Sequence, residues 1–203
     1  MSTPWRKLLY KELEKITLSG QVIDLGGSRK SNYHQLFKGQ FAFEVSNIDE
    51  EYGYDIKLNL EEKFQISDAK YDAVLAINVL EHIYNYDNFL SESYRILKNG
   101  GKMVVGVPFF IQIHPCPQDY WRYSGETLTK IMTKVGFKNV EVITVGRGPF
   151  TVIAQILYGI LIFDFLRFVV SWVAWFLDFL IFLIKPKFAQ EMFPLGYVVI
   201  AKK

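Results

Sequence analysis

The sequence predicts an α/β domain: a doubly wound, mostly parallel sheet of about seven strands, with an apolar helical insertion before the last strand. Three observations lead there. From Gln21 onward short apolar runs alternate with helical stretches, the pattern of strands joined by crossover helices. The first run, "QVIDLGG", ends in an acid and two glycines, a turn suited to the carboxyl end of a strand where doubly wound sheets bind ligands. The chain is 50% hydrophobic and 16% aromatic over 203 residues, and much of that excess falls between Phe150 and Ile184, flanked by two strand-like runs. The length suits one domain, residues 1–203, large enough to bury a core.

Each element has a local reason. Residues 1–20 read as an amphipathic N-terminal helix: Thr3 caps it, Pro4 suits its first turn, and Trp5, Leu8, Leu9 and Ile16 lie along one stripe. "QVIDLGG" is a strand, "SRKSNYHQLFKG" a helix, "QFAFEVSNID" a strand, and a polar stretch then leads to "DIKLNL". "YDAVLAINV" is a strand, "YDNFLSESYRILKNGG" a helix closed by Gly100 and Gly101, and "KMVVGVPFF" a strand. "SGETLTKIMTKVGF" is a helix capped by Ser124, and "NVEVITVG" is a strand. The insertion occupies 149–187, and "PLGYVVIAKK" is the last strand.

Bulk properties exclude some functions. A net charge of +2 without a Lys/Arg stripe argues against nucleic acid as a partner. The single cysteine, Cys116, rules out an intrachain disulfide framework and fits a reducing, cytoplasmic setting. The N-terminal residues lack the apolar core of a signal peptide.

Four motifs carry chemistry. "VIDLGGSRKS" places Asp24, Gly26, Gly27 and Ser28 where glycines let a backbone pass close to a ligand. "EVSNIDEEYG" ends the second strand with Asn47 and Asp49, at the position where such folds hold a ribose. "YDAVLAINVLEHIYNYDNFLSESYRILKNGGKMVVGVP" is strand, "VLEH", helix, "ILKNGG", strand, and "HPCPQDYWRYSGETL" packs His, Asp, Tyr, Trp and Arg into one loop. His114 and Cys116 have no further Cys or His beside them in that loop, so no metal site is expected.

From about Gln21 to Val145, and again from Pro194 to Lys202, the chain resembles class I S-adenosylmethionine-dependent methyltransferases, particularly the type 11 methyltransferase domain family. The resemblance implies a Rossmann-like methyltransferase fold, a seven-stranded sheet whose last strand runs antiparallel, and S-adenosyl-L-methionine as cofactor. It places Asp24, Gly26, Gly27 and Ser28 around the methionine part, with Ser28 standing where the family usually has glycine. The usual ribose-binding acid aligns with Asn47, which leaves Asn47 and Asp49 as alternatives for that contact. Asn59 and Leu60 match the adenine positions, and Ile77 and Asn78 the segment beside the sulfonium. The Glu81–His82 dipeptide is common in the family, where its role looks structural.

A "P-x-DYWR" segment occurs in a subset of this family and lies over the acceptor side of the cleft. It implies Tyr120, Trp121 and Arg122 as acceptor-facing residues, while an Asp119–Arg122 pair that pins the loop is compatible with this. A hydroxyl acceptor needs a base, His114 first and Asp119 second; a carboxylate acceptor needs none. The reading is methyl transfer to a small-molecule or lipid-linked acceptor. The alternative is a non-catalytic membrane-associated interaction module that keeps the fold, motivated by Ser28 and Asn47. A nicotinamide-dependent oxidoreductase lacks support, since no full G-x-G-x-x-G follows the first strand.

The insertion holds about 35 residues, whereas two membrane crossings need about 40 plus a turn. One crossing would put the last strand on the wrong side of a membrane from its own sheet, so only zero or two are allowed. The expectation is a helical hairpin lying in or dipping into a membrane surface through residues 150–184, a peripheral or monotopic association. The alternative is a hydrophobic lid or a homodimer interface. Asp164 and Arg167 are spaced to pair on one helix face, while Asp178 is costly if it faces lipid.

Overall fold

Strand β1 (Gly20–Leu25) carries the alternation-free apolar run of a strand buried on both faces, and its last four residues are all buried. It lies between β2 (Phe41–Asn47) and β4 (Tyr71–Ile77), parallel to both, with Asp24 opposite Val45 and Leu75. With β3 (Ile56–Lys57), β5 (Leu97–Pro108), β6 (Lys138–Val145) and β7 (Gly196–Lys202) the sheet has seven strands in the order β3-β2-β1-β4-β5-β7-β6. β7 runs antiparallel to both β5 and β6, as the family resemblance implies. The order reverses between β1 and β4, which puts the topological switch point at the carboxyl ends of those strands. This computed structural model describes residues 2–203, and the side chains of all of them except 189 and 190.

Helices cover both faces. Helix α1 (Pro4–Leu13) begins as expected, with Thr3 Oγ1 accepting from the Arg6 amide at 3.2 Å, and buries Trp5, Leu8, Leu9 and Leu13. Each such side chain contributes about 1.5–3 kcal/mol by leaving water. These residues pack with Val22, Leu75, Val104 and Val198 on one side of the sheet. On the other side α2 (Tyr86–Ile96) and α3 (Gly125–Val135) bury Phe89, Leu90, Ile96, Leu128 and Met132 against Ile23, Val74 and Val105. Ser124 caps α3, accepting from the Thr127 amide at 3.2 Å.

Several expected boundaries differ. The N-terminal helix, expected over residues 1–20, ends at Leu13, so Ile16 is buried but lies beyond the helix. The helix expected after β1 is only a 3-10 turn, Tyr33–Leu36. Its side chains explain why: Tyr33 and His34 turn inward onto Asp24, and the Arg29 amide bonds the Tyr52 and Gly53 carbonyls of the loop after β2. Gly100 and Gly101 do not close α2. The helix stops at Ile96 because Leu97 turns extended and pairs with Tyr71, and both glycines lie within β5 at a register shift.

The insertion forms α4 (Pro149–Tyr158), α5 (Asp164–Ile184) and α6 (Pro186–Glu191). It leaves the sheet at Val145 and returns at Leu195, whose amide donates to the Val145 carbonyl at 2.8 Å. A single membrane crossing is therefore incompatible with the sheet. Among the described residues α5 is the one helix long and apolar enough to cross a membrane by length and composition, and α4 is half its length. The polarity of α5 is inverted. Its buried residues are Ser171, Ala174 and Asp178, a stripe on one face, while Phe165, Phe168, Trp172, Phe176, Phe179 and Leu183 face outward.

The inward stripe accounts for the charges. Asp178, 1% exposed, accepts from the Phe150 amide (3.0 Å), the Thr151 amide (2.7 Å) and the Thr151 hydroxyl (2.5 Å). It sits at the N-terminus of α4, where its charge meets the positive end of the helix dipole. Asp178 does not face lipid. Arg167 bonds Asp164 at 3.1 Å, as the spacing predicts, and stacks its guanidinium over Tyr158.

Candidate active site

The glycine turn after β1 is held tightly. Gly26 adopts φ +71°, and a Cβ there would press on Val79 and Leu60. A Cβ at Gly27 would collide with the Asp24 carboxylate. Asp24 is fully buried; its Oδ2 accepts from Tyr33 Oη and lies 2.8 Å from His34 Nε2, while its Oδ1 has no partner. Burial first, and then the Asp24 charge, hold the Tyr33 phenol well above its ordinary pKa. Ser28 accommodates the place of the usual glycine by donating its hydroxyl to the Tyr52 carbonyl at 2.6 Å.

The end of β2 separates its two candidates. Asn47 donates its amide to the Gly27 carbonyl at 2.7 Å and the Gly26 carbonyl at 3.3 Å, and its Oδ1 accepts from the Ile48 and Asp49 amides. The amide end of Asn47 therefore braces the glycine turn, and its oxygen holds the turn that follows β2. Asp49 is exposed, and one of its oxygens accepts from the Glu51 amide at 2.9 Å. Asn59 bonds Glu62 and the Glu61 amide, and Leu60 is buried against Gly26.

At the end of β4, Ile77 is buried and Asn78 takes a left-handed turn, φ 55°. The Asn78 Oδ1 accepts from Trp5 Nε1 at 2.9 Å, and the Trp5 backbone amide donates to Gln155 Oε1 of α4 at 3.0 Å. One residue of the N-terminal helix thus bridges the central strand end and the apolar hairpin. Periodicity marks Trp5 as buried but does not reveal where its polar atom goes.

The "VLEH" and "DYWR" motifs form one unit. The Glu81 carbonyl accepts from the Tyr120 amide (2.9 Å) and the Trp121 amide (3.2 Å), and Trp121 Nε1 donates to the Ile83 carbonyl at 3.0 Å. Trp121 stacks on Tyr84 and meets Tyr86 edge-on, so it anchors the loop, while Tyr120 is exposed. The Asp119 carboxylate, 1% exposed, receives Arg122 at 2.5 and 2.7 Å and the His114 amide at 2.9 Å. Arg122 chiefly, and the His114 amide after it, bring Asp119 down to about 2 against the opposing effect of burial. As a base Asp119 is therefore weak; its geometry suits holding the loop and His114 in place. Earlier in the loop, Cys116 reaches Tyr52 at 3.5 Å, so the loop arches from β5 toward the turn that follows β2.

His114 lies beside this anchor, half-buried. Its Nε2 is 3.7 Å from Glu81 Oε1, its Nδ1 3.2 Å from the Gln112 carbonyl and 3.3 Å from Asp119 Oδ2. Glu81 first, with Asp119 also contributing, raises the imidazole above its ordinary pKa. The imidazole thus has a carboxylate near each nitrogen, Asp119 beside Nδ1 and Glu81 facing Nε2, and the second is an acid to which the family resemblance gives a structural role.

Comparison with known proteins agrees with the architecture. A family model described as a methyltransferase domain matches residues 1–142. A protein of Methanocaldococcus jannaschii described as uncharacterized is 43% identical over 67 positions, covering 26% of this chain and 29% of that protein. A probable S-adenosylmethionine-dependent methyltransferase of Mycolicibacterium smegmatis is 28% identical over 89 positions, covering 41% of this chain and 35% of that protein. The matches thus span about a third of the length of these curated relatives. The crystal structure of an S-adenosylmethionine-dependent methyltransferase from Archaeoglobus fulgidus superposes with a TM-score of 0.62 at 17% identity, over 98% of this chain and 94% of that one. With the model match over 142 of 203 residues and the strand order of the class I fold, the chain belongs to the methyltransferase domain family.

Proposed function

We propose that this chain transfers a methyl group from S-adenosylmethionine to a small-molecule or lipid-linked acceptor at a membrane surface. The observation that carries the first half is the glycine turn at the switch point, where the buried Asp24 Oδ1 has no partner. An orphaned carboxylate oxygen beside a backbone stripped of side chains suits a ligand ammonium group, which the methionine part of the cofactor offers. S-adenosylmethionine supplies a methyl group already activated by a positively charged sulfur. The protein's task is then orientation, a legitimate source of large rate effects.

The residues divide that task. Asp24, Gly26, Gly27 and Ser28 receive the methionine part; Asp49 takes the ribose, because the Asn47 amide is committed to the glycine turn. Asn59 and Leu60 flank the adenine, and Ile77 with Asn78 set the floor beside the sulfur. Tyr120, exposed on the loop, meets the acceptor, while Trp121 and Arg122 hold that loop. If the acceptor is a hydroxyl, His114 takes its proton.

Support for the membrane half comes from α5. Its large apolar side chains point outward around a polar inner stripe, the reverse of a soluble amphipathic helix. Arg147, over the Trp175 ring, and Lys185 and Lys187 lie at one end of the hairpin, where cations suit a headgroup layer. The hairpin leaves from the end of the sheet that carries the glycine turn, and Trp5 ties the two.

Calorimetry with S-adenosylmethionine and its demethylated product tests the first half, and no binding of either would overturn it. Flotation with phosphatidylcholine–phosphatidylglycerol vesicles tests the second. Deleting Phe150–Ile184 behind a short linker should move the protein to the soluble fraction. Unchanged flotation overturns membrane contact, and a detergent-free stable dimer that never floats favours the interface between copies.

A further inference from the structure

Glu81 is the most unusual acid in the molecule. It is fully buried, and neither carboxylate oxygen has a hydrogen-bond partner. A buried carboxylate without partners is costly, and proteins rarely leave one so. What faces it is a pair of histidines, with His82 Nε2 and His114 Nε2 each 3.7 Å from Glu81 Oε1. That separation is beyond hydrogen-bond reach.

The other ring nitrogens explain the orientation. His82 Nδ1 lies 2.5 Å from the Gln118 carbonyl and His114 Nδ1 lies 3.2 Å from the Gln112 carbonyl. A carbonyl oxygen only accepts, so both Nδ1 atoms carry the proton. In the neutral rings both Nε2 atoms then carry a lone pair, each 3.7 Å from Glu81 Oε1. Metal-binding histidines are held in this way, with the second nitrogen donating to a carbonyl or carboxylate.

We propose that Glu81, His82 and His114 form a binding site for a divalent first-row transition ion, with zinc the best match to two imidazoles and one carboxylate. The three ligand atoms lie within 4.8 Å of one another. Ligands about 2.0–2.2 Å from a shared zinc ion sit about 3.3–3.6 Å apart, so closing on an ion needs only small side-chain movements. Three protein ligands leave a coordination position open, as in catalytic rather than structural zinc sites. The partly exposed His114 marks the open side.

The inference goes beyond the methyl-transfer reading. An ion here takes the His114 nitrogen otherwise available as base. A hydroxyl acceptor bound at the open position would be ionised by coordination, its proton passing to water. The site also explains why the loop is fastened where it is: the Tyr120 and Trp121 amides bond the Glu81 carbonyl, which brings His114 to His82.

The test uses full-length, tag-free protein, stripped with chelator and titrated with Co(II) while visible absorption is recorded, followed by displacement with Zn(II). One ion per chain is expected, with bands of a low-coordinate N/O site that Zn(II) abolishes. Glu81→Gln and His82→Gln should each weaken binding by at least about a hundredfold, given that loss of even an outer-shell partner costs about 10–100-fold. S-adenosylmethionine binding by the Glu81→Gln protein, measured by calorimetry, reports its fold and tests the cofactor reading separately. No saturable Co(II) uptake by the wild-type protein, or uptake unchanged in both variants, overturns the site.

Discussion

Two regions of this molecule are each built around a buried carboxylate, and they treat it in opposite ways. At the base of the apolar hairpin, Asp178 receives three donors from the first turn of α4. Beneath the loop after β5, Glu81 receives none and faces two histidines at 3.7 Å. The first acid is a structural joint, fixing α4 against α5. The second leaves both carboxylate oxygens without a donor, and a buried acid so placed calls for a reason other than packing.

Substitutions that break the comparison should differ most at Asp178. Asp178→Ala strips a helix cap and leaves two backbone amides and a hydroxyl without a partner; a loss of about 3 kcal/mol is expected, read by denaturant unfolding in detergent. Loss below about 0.5 kcal/mol would show the hairpin to be independent of this joint. Asn47→Ala, which unfastens the glycine turn, should cost about 2 kcal/mol and weaken S-adenosylmethionine binding in calorimetry. Trp5→Phe removes the hydrogen bond to Asn78 and part of the buried ring that packs against Gly196, for about 1–2 kcal/mol.

Glu92 sharpens the contrast through pH. It is a third shielded acid, bonded by Arg95 and by the Phe64 amide, and Arg95 first lowers its pKa. A lowered folded-state value means that its stabilisation is present above the unfolded value, about 4.3, and is lost as pH falls through the folded one. Unfolding midpoints followed from pH 6 downward, about two units, should therefore fall less steeply in Glu92→Gln than in the wild type. The smallest effect belongs to Glu81→Gln. In metal-free protein it removes no hydrogen bond, so stability should stay within about 0.5 kcal/mol, measured by the same unfolding curves.

The sheet was legible because its strands are long apolar runs punctuated by glycine and polar turns, and periodicity carries that information locally. Asn47 and Asp49 were both visible as candidates, but only folding shows that the Asn47 amide is used up by two carbonyls of another segment. The helix expected after β1 failed for a related reason: Tyr33 and His34 follow a long-range demand from Asp24 that local propensity does not record. Glu81 and His82 are neighbours in sequence and read as a helix start. Their partner His114 sits on a different loop, brought over by backbone bonds that no residue pattern announces. The hairpin was readable as apolar and as confined to one side by the sheet, yet the inward turn of Asp178 depended on α4, whose amides it caps.

The point where the chain leaves and rejoins the sheet has a consequence for biosynthesis. β7 lies between β5 and β6, and it follows the hairpin in the sequence. β6 therefore has no strand to pair with until all of α4, α5 and α6 have emerged from the ribosome. The greasy face of α5 is present in the nascent chain before the sheet can close, so that face is open to contact during translation, ahead of the finished fold.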